Sequence, residues 1–247
     1  MATIKEITNY CSEYLQPELF KDYCPNGLQI EGSKEIKRLV AGVTACQELI
    51  DAAIEYKADL LLVHHGFFWK SESPVLTGIK QRRVKALLCN NINLLAYHLP
   101  LDAHPEVGNN HLFANQLKLK KRFAFGPNKL ALGGRIKKVS GGDLAMKLAV
   151  VLDRQPLHIA AKRPIEKIGL CTGAAQGMIE EAIENGLDAF ISGEVSESTV
   201  HLARENNIHY FAAGHHATER FGARALGRHL ADKFSLKYRF IDINNPV

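Results

Sequence analysis

The chain reads as an α/β protein of two lobes, each built on one copy of a duplicated βαβ unit, with mixed sheets flanked by helices. Three observations predict this. Apolar runs of strand length alternate with segments of helical period. The succession that ends in Asp59-Leu-Leu-Leu-Val-His-His65 recurs further along the chain. Each copy then runs on to a strand that closes on a histidine followed four residues later by an acid.

In chain order, Ile4, Ile7, Cys11, Tyr14 and Leu15 fall at helical spacing, and Pro17 stops that opening helix. Asn26-Gly27 after a proline signals a turn, with a short strand at Leu28-Gln-Ile30. Arg38 to Thr44 is an apolar strand. Gln47 to Lys57 carries a helical stripe through Leu49, Ile50, Ala53 and Ile54. The next strand ends at His64-His65, so the two strands should lie parallel with a right-handed crossover. Beyond a loop holding Ser71 to Pro74, a helix spans about Gly78 to Asn90, and the strand Asn93 to Tyr97 delivers His98-Leu-Pro-Leu-Asp102. From Leu117 to Lys138 the pattern breaks, with Gly126-Pro127 and Gly133-Gly134 marking a boundary zone and room for a hairpin. This places a first lobe at residues 1–125 and a second at 126–247, with a metal site between them. Ser140-Gly-Gly-Asp143 resembles a capped start for a helix to Leu152, and Leu157 to Ala161 reads as a strand.

The repeat is visible residue by residue. With Gln176 set on Gln47, an offset of 176 − 47 = 129, residues Ile179, Ala182, Ile183, Glu184 and Asp188 fall on Ile50, Ala53, Ile54, Glu55 and Asp59. The strand at Ala189-Phe-Ile191 falls on Leu60-Leu-Leu62. Further on, His215 and Glu219 correspond to His98 and Asp102, because 215 − 98 and 219 − 102 both give 117.

Composition narrows the classes. An apolar fraction of 46% with 23% charged residues is that of an ordinary globular protein. No run is long and apolar enough for a membrane span, and no signal segment is evident at the N-terminus, so the cytoplasm is the expected compartment. Five scattered cysteines without a CxxC pair argue against a disulfide framework or a thiolate zinc site. The chain carries 31 basic against 26 acidic residues, a mild excess that reads first as a solvated basic surface and second as favouring a small anionic, nucleotide-like ligand. The basic cluster Lys118, Lys120, Lys121 and Arg122 lacks interleaved aromatics, so nucleic acid is not the expected partner.

A histidine and a carboxylate four residues apart meet on one face of a helical turn and can reach a common ion. If both halves aim their strand ends at one cleft, His64, His65, Asp102, His215 and Glu219 surround a two-metal site, with His98 and His216 close by. Nitrogen and carboxylate donors without thiolate suit zinc, iron, manganese or nickel. Glu194 stands where the first half has its histidine pair. It and His98 are the candidates for a general base, with helix capping the other role open to Glu194. Phe67-Phe-Trp-Lys70 can wall a cleft, form a subunit contact or pack in the core. Thr172-Gly-Ala-Ala-Gln-Gly177 is a strand-to-helix turn without the full dinucleotide or P-loop pattern.

As a set, Asn26 to Gly32, Val63-His-His-Gly-Phe-Phe-Trp69, His98 to Asp102, Ser192-Gly-Glu-Val-Ser196 and Gly214-His-His-Ala-Thr-Glu-Arg220 resemble the YbgI-like, Nif-three-like family, commonly labelled GTP cyclohydrolase 1 type 2 homologue. The resemblance covers essentially the whole chain. It implies an α/β protein of two interlinked lobes and a ring-shaped homohexamer with dinuclear metal sites facing an inner cavity. It also implies one divalent ion on His64, Asp102 and Glu219 and a second on His65, His215 and Glu219, with Glu219 bridging. Opening of the GTP ring is attributed to some members, so a metal-dependent hydrolase acting on a nucleotide or pterin-like substrate is the expected function. A non-catalytic metal-binding or regulatory assembly and a two-metal nuclease or phosphohydrolase are the alternatives.

Overall fold

The computed structural model describes residues 2–247, and they form two compact units. The first comprises Met1–Val107 and Gly222–Asn244, the second Gly108–Phe221 and Asn245–Val247. Through the first, the chain runs β1 (Ala2–Thr3), α1 (Ile4–Leu15), β2 (Gly27–Ile30), β3 (Glu35–Ile36), β4 (Arg38–Thr44), α2 (Gln47–Glu55), β5 (Leu60–His65), α3 (Gly78–Cys89), β6 (Asn93–Ala96) and α4 (Leu99–Ala103). The second holds α5 (Asn109–Gln116), β7 (Lys120–Phe125), β8 (Ala131–Val139), α6 (Gly141–Leu152), β9 (Leu157–Ile159), β10 (Ile165–Cys171), α7 (Ile179–Glu184), β11 (Ala189–Ser192), α8 (Glu197–Glu205) and β12 (His209–Ala212). Helix α9 (His215–Phe234) follows, its residues 215–221 belonging to the second unit and the rest to the first, and β13 (Lys237–Phe240) ends the fold.

In the first unit the sheet order is β13-β4-β5-β6-β2. Strands β4, β5 and β6 are parallel, as the strand–helix–strand succession predicts. Period-2 alternation feeds both faces: Leu39, Ala41, Leu60 and Leu62 join a core with α1 and α9, while Val40, Leu61 and Val63 pack with α2 and α3. Helix α1 is fixed at its start by a capping box between Thr3 and Glu6. The contact-defined units differ from a sequential cut at 125/126. There are two reasons: residues 108–125 go with the second unit, where β7 pairs with β8 and Phe113 packs in the core, and β13 returns from the C-terminal region to lie parallel to β4 with Lys237 on Arg38 and Phe240 on Ala41.

The second unit has the order β7-β8-β10-β11-β12-β9, again with three parallel strands at its centre, β10, β11 and β12. The boundary zone is indeed a hairpin, β7 against β8, and Ser140 with Asp143 forms the expected capping box on α6. A core of Leu148, Ile168, Leu170, Ala189, Ile191 and Phe211 lies under α6.

The duplication is repeated in hydrogen bonding. Asp59 accepts from the backbone N–H groups of Lys37 and Arg38 at 2.8 and 2.9 Å, and Asp188 accepts from those of Glu166 and Lys167 at 2.9 and 2.8 Å. Each partner is displaced by 166 − 37 = 129. The same carboxylate clamp therefore ties the first parallel strand to the start of the second in both units.

Candidate functional site

Each unit places its chemistry where parallel strands end, the usual location of binding sites in such sheets. In the first unit, His64 and His65 are the last two residues of β5. His64 is fully buried, and its Nδ1 lies 2.9 Å from the carbonyl oxygen of Tyr97. A carbonyl only accepts, so His64 donates from Nδ1–H, and in the neutral ring the lone pair is then on Nε2, the nitrogen a metal would take. That Nε2 lies 3.5 Å from Asp102 Oδ1, on the first turn of α4. His65 Nδ1 is 3.1 Å from the Thr44 hydroxyl. His98 caps α4, and ring nitrogens of His64, His65 and His98 lie within 4.8 Å of one another.

His98 does not share a helical face with Asp102 as its spacing predicts. Its backbone is non-helical, its Nδ1 turns to Asp22 Oδ1 at 2.7 Å, and Asp102 faces His64 instead. Asp22 also accepts from Asn26 Nδ2 at 2.8 Å, Leu99 N at 3.0 Å and Tyr23 N at 2.6 Å. Burial alone raises the Asp22 pKa. The hydrogen bonds from His98 and Asn26, the charge of His98 and the Tyr23 N–H outweigh it, and the carboxyl is pushed down to about 2.

In the second unit the helical pair does form. His215 opens α9, and its Nε2 lies 3.1 Å from Glu219 Oε2 one turn on. Its Nδ1 meets Glu194 Oε1 at 2.6 Å. Burial pulls the His215 pKa down, but the hydrogen bonds and charges of Glu219 and Glu194 prevail and hold it up at about 9. Glu194 is thus the carboxylate that orients His215. It does not cap α8, whose N-cap is Ser196 with a side-chain bond from Thr199 N.

Glu219 is only 2% exposed and sits where a neighbouring backbone leaves room for it. Gly173 has φ +69°, and a Cβ there would collide with Glu219 Oε1. The turn around Gly173 spends its own N–H groups internally. Thr172 N donates to Asn110 Oδ1, Gly173 N to Thr218 Oγ1, and Ala175 N to Ser192 Oγ. Those bonds make it a packed turn rather than a phosphate cradle.

The two His-x-x-x-acid motifs are not equivalent in register. Ala96 pairs Val63 and Ala212 pairs Ser192, so the third strands are offset by 212 − 96 = 116, against 117 for the histidines. One extra residue precedes His215, at the turn where Gly214 takes φ +98°. This is why His98 is a cap and His215 a helical residue. His216 is buried beside it, with its backbone N–H on the Val247 carbonyl. Sequence reasoning missed Asp22 as the partner of His98, since 76 residues separate them and an acid next to Tyr-Cys-Pro carries no signal.

The chain is similar to known proteins over nearly all its length. The model of Duf34/NIF3 (NGG1p interacting factor 3) matches residues 2–246. A Vibrio cholerae protein named GTP cyclohydrolase 1 type 2 homolog is 53% identical over 242 residues, covering 96% of each chain. One of the same name from Pseudomonas aeruginosa is 50% identical over 248 residues, covering 99% of this chain and 98% of that one. The solved structure of protein ybgI, described as of unknown function, superposes with a TM-score of 0.94 at 45% identity over 100% of both chains.

Proposed function

The chain belongs to the Duf34/NIF3 family, and on that premise we propose that it is a metal-dependent hydrolase acting on a nucleotide or pterin-like substrate. The ligands are His64, His65 and Asp102 of the first unit and His215 and Glu219 of the second, holding two divalent ions. The observation that carries this reading is the chemistry of the donors. His64 Nε2, fixed by the Nδ1–H bond to the Tyr97 carbonyl, faces a carboxylate oxygen at 3.5 Å, so a cation there would have an imidazole and a carboxylate as ligands. Glu219 occupies a space that only glycine at position 173 leaves free, and Glu194 fixes the ring of His215 from behind. Carboxylate-supported imidazoles of this kind are the normal outer support of metal ligands.

Divalent ions held by these five residues would supply Lewis acidity there. The remaining chemistry belongs to the chain. Glu194 keeps His215 Nε2 directed to Glu219, and the Tyr97 carbonyl keeps His64 Nε2 directed to Asp102. His98, anchored through Nδ1 on Asp22, has its Nε2 to hold and return a proton during bond cleavage. The proposal includes a ring-shaped homohexamer in the cytoplasm, read by native mass spectrometry and fractionation.

The name of the relatives makes GTP the first substrate to try. Metal-loaded protein incubated with GTP should open the guanine ring, seen as loss of its ultraviolet band, and Glu219→Ala should abolish this. Turnover unchanged in Glu219→Ala, or none with any nucleotide or pterin under any of the four metals, refutes the reading.

A further inference from the structure

Within the first unit, beside His65, lies a cavity of about 520 Å³. Thr44, His65, Phe67, Trp69, Lys80 and Arg83 are among the residues that line it. Its size is in the range of small-ligand pockets, and its lining carries Lys80 and Arg83 against one carboxylate, Glu72.

Arg83, on α3, carries the argument. It is half-buried, and its Nε is sealed from solvent with no hydrogen-bond partner among the described residues. That nitrogen is itself closed off, so an anion in the cavity would meet the charge on the part of Arg83 that lines it and offset the cost of its partial burial. Lys80, on the same helix, is differently placed. Its Nζ lies 3.3 Å from Glu72 and 2.9 Å from the Ser73 carbonyl, so its charge is already matched. The uncompensated charge of the lining is that of Arg83.

Two further observations point to the same kind of ligand. Helix α3 starts without a side-chain cap at Thr77 and without an acid in its first turn, and Thr77 and Ile79 also line the cavity. Its positive end is therefore not neutralised locally. The aromatic wall is held firmly: Trp69 Nε1 donates to the Gly66 carbonyl at 3.3 Å, and its ring stands edge-on to His98 with centroids 5.0 Å apart. A cation and an aromatic face in one cavity suit a planar ring that carries an anionic group.

We propose that this cavity binds a phosphorylated planar heterocycle, with Arg83 on the phosphate and Trp69 along the ring. This deepens the hydrolase reading by naming its substrate pocket, and rests on that reading for the ligand's identity.

Trp69 is the only tryptophan of the chain, so its fluorescence reports this cavity alone. Intact, metal-containing protein is titrated with GTP and with guanosine, as wild type, Arg83→Met and Lys85→Met. Lys85 is exposed on the same helix and absent from the lining, so its variant loses the same charge outside the cavity. GTP should change the fluorescence saturably in wild type and Lys85→Met. Loss of a charge-assisted phosphate contact should weaken GTP binding about tenfold or more in Arg83→Met, and guanosine should bind wild type weaker by a similar factor. No saturable change, equal GTP affinity in Arg83→Met, or guanosine binding as tightly as GTP overturns the proposal. The two readings fail separately. Arg83-dependent binding without turnover refutes the hydrolase and leaves the pocket, whereas turnover indifferent to Arg83 refutes the pocket and leaves the hydrolase.

Discussion

Gly173→Ala tests whether the fold is built to make room for the Glu219 carboxylate. Two costs are separable. The first is conformational: alanine at φ +69° costs about 1 kcal/mol. The second is steric. The new Cβ would strike Glu219 Oε1 and would stand 3.2 Å from Glu219 Cδ and 3.4 Å from His215 Nε2. Forcing a methyl into a packed interior costs about 1–3 kcal/mol more. Gly186→Ala supplies the control, because Gly186 has φ +62° and open space around its Cβ position. Gly186→Ala should therefore lower stability by about 1 kcal/mol, a shift of about 2–4 °C in Tm for a chain of this size, and leave metal content intact. Gly173→Ala should lose about 2–4 kcal/mol and most of its metal, since the carboxylate must swing away from His215. Calorimetric melts of metal-free protein and elemental analysis of purified protein read the two effects. Equal melting loss in the two variants, with metal retained in Gly173→Ala, would refute the reasoning.

Two other perturbations address the carboxylates that hold His215 and His98. Glu194→Gln keeps a hydrogen-bond acceptor for His215 Nδ1 but removes the charge, so metal affinity measured by competition with a chelator should fall about 10–100-fold, and the metal-free protein should lose some stability below pH 6.5, where His215 is charged, and less as pH rises through about 9. Asp22 has a folded pKa of about 2, below its ordinary 3.8, so the stability it contributes is present above pH 4 and lost as pH falls through 2. The shift corresponds to about 2 kcal/mol, and Asp22→Asn should remove that part of the acid dependence in urea melts recorded from pH 5 to pH 2.

Much of this architecture was legible because its signals are local. Arg38 to Thr44 and Leu60 to His65 are apolar runs whose lengths suit buried parallel strands, and the helix between them has a clear stripe. The repeat could be read because Asp59 and Asp188 perform the same backbone clamp, which fixes their spacing to the strands. Long-range pairings left no such trace. Strand β13, Lys-Tyr-Arg-Phe, alternates like many surface segments, and nothing local directs it to β4, some 200 residues earlier in the chain by the pairing of Lys237 with Arg38. Residues 109–116 form α5 without an amphipathic stripe or a capping side chain, so no period announces the helix. The donors His64, His65, Asp102, His215 and Glu219 were readable as residue types at strand ends. The partners that orient them were not: Glu194 reaches His215 across 21 residues, and the His64 tautomer is set by a backbone carbonyl, which no side-chain pattern records.

The central claim is that these donors hold metal, and metal content per chain tests it most directly. Elemental mass spectrometry on anaerobically purified protein should find about two equivalents of divalent transition metal in wild type. Glu219→Ala should fall sharply below that while keeping its secondary structure. Little metal in either protein, or the same full content in both, would contradict the account and leave the histidines as buried polar groups of the fold.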